Sequence, residues 1–342
     1  MGCNRNNYAV SEVVGYIIVL NIIVSTIGII FLWYEPTIER DESIAQTNAV
    51  CGMLKKINGK NIELLDQGMN ASASGNLLIE EGNFEIIPLD GDQIVIYYSM
   101  DENYDFLVDD FDDSNLQEFN LKMKYKLDFL CKAVKTNLDD MSTVDDDEDI
   151  PTISEWVTFD FNDDAVKMLK IDLLDRDEGD LLFGRIWVFD MGCLEYSLPT
   201  SQGTYKAICE NNAVIFSYPN NPYMYEKPVT HNADDIFLKV FQTNIKEESI
   251  SGVSGTSDID FLISVDDTYV HESRMPVYSF YIQVNGEYPD PWLNYFKNYF
   301  SDYEFIDVGG MDPENTIQLK ISGDFQYFSL VRMISDYEMK VK

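Results

Sequence analysis

The first candidates for chemistry are the two histidines, His231 and His271, because imidazole is the usual acid–base group near neutral pH. His271 is followed by Glu272 and Ser273, but consecutive residues do not form a catalytic triad, whose members meet through the fold. We interpret this tripeptide as a surface turn. The sequence has no GxSxG, Walker, HExxH or dinucleotide-binding motif. The motif content therefore predicts a protein that is not an enzyme.

Clustered carboxylates are the second candidate, because oxygen ligands at high density bind Ca²⁺. The densest run contains Asp145, Asp146, Asp147 and Asp149. No segment matches an EF-hand loop, because the nearest candidate, residues 160–164, lacks the turn glycine and the closing glutamate. The few histidines and scattered cysteines disfavour a zinc site. We favour solvated acidic loops over weak calcium ligands, and we expect no cofactor.

Five cysteines offer thiol or disulfide chemistry, and two of them form a candidate pair. Cys193 and Cys209 lie between neighbouring predicted strands, where a disulfide would close a hairpin and contribute about 3 kcal/mol. Reduced, buried cysteines fit the sequence almost equally well. The sequence leaves the two alternatives open.

The charge balance excludes one class of partner. The chain has 342 residues with 60 Asp and Glu against 24 Lys and Arg, which gives a formal net charge of −36. Sequence-independent binding to nucleic acid needs clustered cations, so we expect no nucleic-acid partner. Because 45% of the residues are hydrophobic and 13% are aromatic, the chain is able to bury a sizeable core.

The elements that must position these residues begin with an uncharged segment, residues 13–34. A helix of this length is about 33 Å long and crosses a hydrocarbon core of about 30 Å. Small and polar residues within it favour helix–helix contacts, and two aromatic residues at its end favour a membrane interface. These are Gly15, Asn21, Ser25 and Gly28, followed by Trp33 and Tyr34. The segment predicts a membrane anchor.

The charges beside this segment predict its orientation. Arg5 and the α-amino group precede it, and a mostly acidic body follows it. The positive-inside rule then places the N-terminus in the cytoplasm and the chain after about residue 36 outside. Asn70, in the sequence Asn-Ala-Ser, becomes a candidate N-glycosylation site on that side of the membrane.

The segment from Ala9 to Tyr16, AVSEVVGY, leads into the apolar helix and resembles the N-terminal signature of archaeal type IV pilin-like proteins. The resemblance is strong over residues 8–57. It implies that a prepilin peptidase removes a leader by cutting between Ala9 and Val10. It also implies that the helix serves first as a membrane anchor and then as the core of a filament with other pilin-like subunits.

Glu12 lies in the first turn of this helix. An acid at that position interacts favourably with the helix dipole and is able to pair with the new α-amine of a neighbouring subunit during assembly. A solvated carboxylate at the membrane interface is an equally good interpretation of the sequence.

The helical pattern continues beyond Pro36 as an amphipathic stalk. Val50, Met53, Leu54 and Ile57 form an apolar stripe with helical spacing, and Gly59 is placed to end the helix. We expect the stalk to pack against a folded head.

Short apolar runs bounded by Gly, Asn, Asp or Pro predict a β-rich, sandwich-like head. Residues 121–129 alternate as a strand does, although a helical stripe also fits them, and we favour the strand. Residues 292–296 predict a short helix near the end of the chain.

These patterns predict five parts, with the boundaries that follow. They are a leader (1–9), an anchor helix with its stalk (10–58), a β-rich module (59–218), a linker rich in proline and asparagine (219–233) and a second β-rich module (234–342). The fold class is therefore mainly β with a long N-terminal helix. We expect a single-pass cell-surface protein that serves adhesion or surface interaction. The alternative is a single-span protein that does not assemble and whose head binds a polymer or Ca²⁺.

Overall fold

A computed structural model of the chain describes the backbone of residues 6–88, 93–100, 104–111, 118–125, 131–138, 143–146, 156–160, 168–175, 181–219, 221–228, 231–232, 235–247, 249–299, 304–307, 316–322 and 327–342. Side chains are described in the same ranges except at residues 6–13, 104–111, 118–125, 131, 133, 135, 143–146, 156–160, 168–169, 175, 231–232, 235, 285, 304–307 and 316–322.

The first element is a single long helix, α1 (Asn6–Gln67). It ends at Gly68, which has a φ of +81° and donates its N–H to the Leu64 carbonyl at 3.0 Å. This left-handed glycine cap satisfies a carbonyl that the helix leaves without a partner. The prediction that Gly59 ends the helix is wrong. No atom approaches the Cβ position of Gly59, and the next two turns still bury residues against the head.

The rest of the chain is rich in strands, as the sequence predicted. The strands are β1 (Ser72–Ile79), β2 (Asn83–Ile87), β3 (Gln93–Ser99), β4 (Tyr104–Phe111), β5 (Glu118–Tyr125), β6 (Cys131–Asn137), β7 (Thr143–Asp146), β8 (Trp156–Asp160), β9 (Met168–Asp175), β10 (Leu181–Asp190), β11 (Cys193–Thr200), β12 (Gly203–Glu210), β13 (Ala213–Tyr218), β14 (Asn221–Glu226), β15 (His231–Asn232), β16 (Asp235–Ile245), β17 (Gly252–Ser254), β18 (Ser257–Pro276), β19 (Ser279–Asn285), β20 (Glu304–Asp307), β21 (Thr316–Ser322) and β22 (Tyr327–Val341). A second helix, α2 (Pro289–Tyr299), contains the predicted helix at 292–296.

The strands form four sheets among the described residues. Sheet I has the order β1-β18-β22-β16-β15, and sheet II has the order β20-β21-β19-β3-β10-β9-β6-β7. Sheet III has the order β14-β13-β12-β11-β2-β17, and sheet IV has the order β4-β5-β8. The strand preferred for residues 121–129 is confirmed over the described part, because β5 covers 118–125.

Strand pairing crosses the predicted boundary between the two β-rich modules. In sheets I, II and III, respectively, β1 pairs with β18, β3 with β19, and β2 with β17. The division into modules 59–218 and 234–342 with a linker between them is therefore wrong. Pro222 misled the prediction, because it lies in β14 at the edge of sheet III, where a strand tolerates a residue without an N–H.

Two hydrophobic cores lie on opposite faces of the layer formed by sheets I and III. One core packs sheet II and α2 against that layer, with Phe189, Phe280 and Trp292 fully buried. The other core packs the second half of α1 against the opposite face. Neighbouring residues of β12 show the division, because Ile208 belongs to the first core and Cys209 to the second. The stalk is therefore a structural layer of the head.

The buried face of the stalk contains a stripe of residues spaced alternately by four and three positions, which keeps them on one face of a helix, and Cys51 and Asn58 are buried beside it. The stripe consists of Ser43, Thr47, Val50, Leu54, Ile57, Asn61 and Leu64. The predicted apolar stripe is thus confirmed at Val50, Leu54 and Ile57, whereas Met53 is half-buried beside it.

We predict that Leu54→Ala destabilises the head by about 3 kcal/mol, because Leu54 is fully buried and its truncation leaves a cavity. Lys56→Ala on the exposed face of the same helix is the control, with an expected change below about 0.5 kcal/mol. Denaturant unfolding of both variants measures the difference. Equal stability of the two variants would show that the stalk is not part of the core.

Candidate functional site

The N-terminal part of α1 presents a large apolar surface that is not covered by the head. Every side chain from Val14 to Ile38 is exposed, and Trp33 is 81% exposed. A helix that is apolar on all sides is stable where its surroundings are also apolar. By length and composition this helix is able to cross a membrane, and its most apolar stretch has no buried residue. The fold therefore leaves the apolar segment available for lipid or for another helix.

The predicted packing residues of this segment do not all share one face. Asn21, Ser25 and Gly28 follow one another at four and three positions, which places them on one side of the helix. Gly15 lies on a different side, and the space around the Cβ positions of Gly15 and Gly28 is open. The side with Asn21, Ser25 and Gly28 combines small size with hydrogen-bonding capacity, which are the features that favour contact between helices in lipid.

The helix joins the head about one turn after Trp33 and Tyr34, the two aromatic residues predicted to lie at a membrane interface. Gln202 donates its side-chain N–H to the Pro36 carbonyl at 2.7 Å. Ser201 donates its hydroxyl and its backbone N–H to the Glu39 carboxylate at 2.6 and 3.0 Å. The hydrogen bonds from Ser201 hold the pKa of Glu39 below its usual value. The turn between β11 and β12 thereby fixes the helix where it leaves the head.

The residues of the predicted processing site lie at the start of α1. Ala9, Val10 and Glu12 belong to its helical backbone, and their side chains lie outside the part that the structure describes. The leader's first five residues also lie outside the described ranges.

A buried ionic cluster surrounds Glu272, and the prediction of a surface turn at His271-Glu272-Ser273 is wrong. These residues lie within β18, and Glu272 is 3% exposed. One oxygen of its carboxylate accepts hydrogen bonds from Tyr98 at 2.7 Å, Arg185 at 2.6 Å and Trp187 at 3.2 Å. Glu272 lies in sheet I and its three donors lie in sheet II, so the cluster joins the two sheets, and within sheet II Arg185 also donates to Asp172. The hydrogen bonds from these three donors stabilise the fold, and the cluster has the character of a buried ion pair.

His271 lies against the rings of Trp187, Phe189 and Tyr269, with centroid distances of 4.7 to 5.7 Å. Burial lowers the pKa of His271 to about 4, and the nearby charge of Arg332 acts in the same direction. The imidazole is therefore neutral in the folded protein at pH 7, and its Nε2 atom is buried without a hydrogen-bond partner.

This environment of His271 predicts a pH dependence of stability. The unfolded chain, with an ordinary histidine pKa of about 6.5, takes up a proton that the folded chain does not bind until about pH 4. Stability due to His271 is complete above pH 6.5 and falls toward pH 4, by at most about 1.4 kcal/mol per pH unit. Comparing the pH dependence of unfolding for the wild type and His271→Gln checks this, and parallel curves would refute it.

Cys193 and Cys209 do not form the predicted disulfide. In the register of β11 and β12, Cys193 pairs with Glu210 whereas Cys209 pairs with Leu194. Because successive side chains of a strand point to opposite faces, the two sulfur atoms lie on opposite sides of sheet III. The Cys209 thiol donates to Asn58 at 2.8 Å, and burial raises its pKa. The alternative of reduced, buried cysteines applies to Cys209.

The remaining predicted sites are the glycosylation site at Asn70, whose side chain the structure describes, and the Ca²⁺ ligands, whose side chains it does not describe. Asn70 is exposed, with a φ of +63°, in the loop between α1 and β1, so its side chain is accessible. The backbone of Asp145 and Asp146 lies in β7, but their side chains, and all of Asp147 and Asp149, lie outside the described residues. Among the described side chains, no group of three or more His, Cys, Asp or Glu is arranged to hold a metal ion.

Comparisons of the chain with protein-family models, with curated proteins and with solved structures found no match.

Proposed function

We propose that this chain is a pilin-like cell-surface protein of the archaeal type, held in the membrane by residues 13–34. The observation that carries the proposal is the form of α1. One helix presents an uncharged, exposed segment, residues 14–34, and then continues into the core of the head. A continuous helix of this form connects a segment that lies in lipid or in a filament to a rigid extracellular head.

The distribution of charge supports an exterior head. Residues 1–34 contain Arg5 and Glu12 as their only charged side chains, so the excess of acid lies in the remaining chain. Anionic lipid headgroups repel an acidic head, and Arg5 with the α-amino group favours the cytoplasmic side for the N-terminus. Both effects are consistent with the N-terminus inside and the acidic head outside. A carbohydrate chain at Asn70 fits the same orientation, because that residue is exposed.

In the proposed processing and assembly, a prepilin peptidase cuts between Ala9 and Val10, and the exposed helix then packs with the helices of other subunits. The face of Asn21, Ser25 and Gly28 is the proposed contact between helices. Glu12 is the proposed partner of a neighbouring α-amine. The role of the head is adhesion or surface interaction, and the function requires no catalytic group.

The mature N-terminus tests the assembly part of the proposal. Mass spectrometry of the protein from the membranes of producing cells is expected to find Val10 as the first residue. An intact Met1 or Gly2 would refute processing and would favour the alternative of a single-span binding protein that does not assemble. The two outcomes are distinguishable without knowing any ligand of the head.

A further inference from the structure

A groove at the base of the head lies beside the point where α1 leaves it. The groove has a volume of about 810 Å³ and runs between one side of α1 and the turn that follows β1. The apolar part of its lining, which we call the floor, includes Ala45, Ala49, Met53 and Leu78. Leu78 is 48% exposed, so an apolar surface remains uncovered there.

Glutamates stand on both banks of this basal groove. Glu39 and Glu42 lie on the helix, whereas Glu80 and Glu81 lie on the turn after β1. Of the residues that the structure describes, those lining the groove include no Lys or Arg. An occupant must therefore offer an apolar face to the floor and positive charge to both banks.

The strand-side bank is held rigidly before any partner binds. The Glu81 carbonyl accepts hydrogen bonds from the Tyr196 hydroxyl at 2.8 Å and from the Gln46 side chain at 3.2 Å. Thr256 donates to the Glu80 carbonyl at 2.6 Å. Gly82 closes the turn with a φ of +97°, where an added Cβ would lie 2.6 Å from the Ser197 carbonyl oxygen. A preorganised bank reduces the entropy lost on binding.

We infer that the basal groove binds a basic amphipathic helix of a different protein. Ala45 and Ala49 are one turn apart on α1, so another helix backbone is able to approach closely. From Glu39 to Met53 the groove follows α1 for about 21 Å, which matches a helical segment of about 14 residues. Lysines or arginines along the edges of that segment would meet the glutamates of both banks.

A second copy of this chain is a poorer occupant on charge grounds. Its apolar segment, residues 13–34, has no charged side chain, and burying Glu42, Glu80 and Glu81 beneath it would desolvate these carboxylates without supplying a positive charge. Its remaining surface carries the same large excess of acid. The inference depends on the proposed function only for its position near the membrane, and the binding itself is independent of processing at Ala9.

The test uses the full chain in non-ionic detergent and a synthetic helical peptide of about 16 residues as the probe. The basic probe has a Leu and Ala face flanked by Lys and Arg, and the acidic probe has Glu at the flanking positions. Fluorescence anisotropy is expected to show saturable binding of the basic probe that weakens at high salt. Equal binding of both probes, or no binding up to about 1 mM, would overturn the inference.

Variants separate binding in the groove from general attraction to an acidic protein. Ala49→Trp fills the groove without changing charge and is expected to weaken binding of the basic probe at least about tenfold. Glu42→Gln with Glu80→Gln is expected to weaken it about tenfold, through rim electrostatics. The matched control is Glu63→Gln with Asp66→Asn, which removes two exposed charges from the same helix beyond the groove and is expected to change affinity less than about twofold.

Two results would contradict this assignment directly. Unchanged affinity in Ala49→Trp, with a melting curve like that of the wild type, would place the binding elsewhere. Self-association of the full chain that Ala49→Trp abolishes would identify a second copy as the occupant. Neither result bears on the mature N-terminus, so failure here is distinguishable from failure of the proposed function.

Discussion

Replacing Ile23 and Ile27 together by arginine is expected to remove the protein from the membrane fraction. Both isoleucines are exposed and lie near the middle of the uncharged segment, where each arginine costs about 2.5 to 3.5 kcal/mol on insertion scales. The pair therefore costs about 5 to 7 kcal/mol, which lowers the equilibrium constant for insertion by about four to five orders of magnitude. Fractionation of cells that produce each variant measures the change.

The control replaces the same two residues by leucine, which keeps the segment apolar and is expected to leave the protein in the membrane fraction. The head should melt normally in all three proteins, because residues 14–38 are exposed and bury nothing against it. Membrane retention of the arginine variant would show that the helix is not the anchor. Loss of head folding in that variant would show that this part of α1 has a role inside the head.

The second large effect is expected at Glu272. Its replacement by alanine should destabilise the head by about 3 to 5 kcal/mol. The change removes the acceptor of the Tyr98 hydroxyl and the Trp187 indole N–H, and it leaves the partly buried guanidinium of Arg185 with one carboxylate fewer. Unmatched buried donors carry the full cost of their lost hydration. Denaturant unfolding at pH 7 is the measurement.

Glu338→Ala is the matched control for the Glu272 experiment. Glu338 also forms ion pairs, with Lys340 and Lys246, but these lysines are exposed. Surface ion pairs of this kind contribute about 1 kcal/mol or less. Similar losses of stability in the two variants would contradict the assignment of the Glu272 cluster as a buried structural link between sheets I and II.

The two parts of the fold that the sequence predicted best depend on local patterns. The uncharged run indicates a membrane-spanning helix by its length and lack of charge, and the stripe of Val50, Leu54 and Ile57 repeats with the period of a helix, so both are legible without knowledge of the tertiary structure. The strand predicted at 121–129 alternates with a period of two residues, and β5 contains its first five residues. Local patterns of this kind therefore predicted the long helix and part of the β-rich head.

The errors concern contacts between distant segments. The head is one interleaved arrangement because β1, β2 and β3 pair with strands after residue 250, and no local pattern encodes such pairing. The hairpin of Cys193 and Cys209 exists, but its register separates the thiols by one position, which places them on opposite faces. A register of this kind follows from the whole sheet and not from the spacing of two cysteines.

Glu272 and the basal groove were missed for related reasons. The sequence around Glu272 is polar, and its burial depends on Tyr98, Trp187 and Arg185 reaching it from other strands. The groove unites a helix face, the turn after β1 and the end of β11. The alanines at positions 45 and 49 were the available signal, because they interrupt an otherwise larger and more polar exposed face.

The placement of residues 14–34 across a membrane is the central claim, and protection from an external protease tests it most directly. Sealed, right-side-out vesicles from producing cells are treated with a broad-specificity protease after the head has been unfolded by mild heating. Mass spectrometry then identifies what remains in the membrane. If the helix spans the membrane, we expect a protected fragment that contains residues 14–34 and ends before the head junction at Glu39. Complete digestion of that segment, or full protection of the head, would show that residues 14–34 do not span the membrane with the head outside.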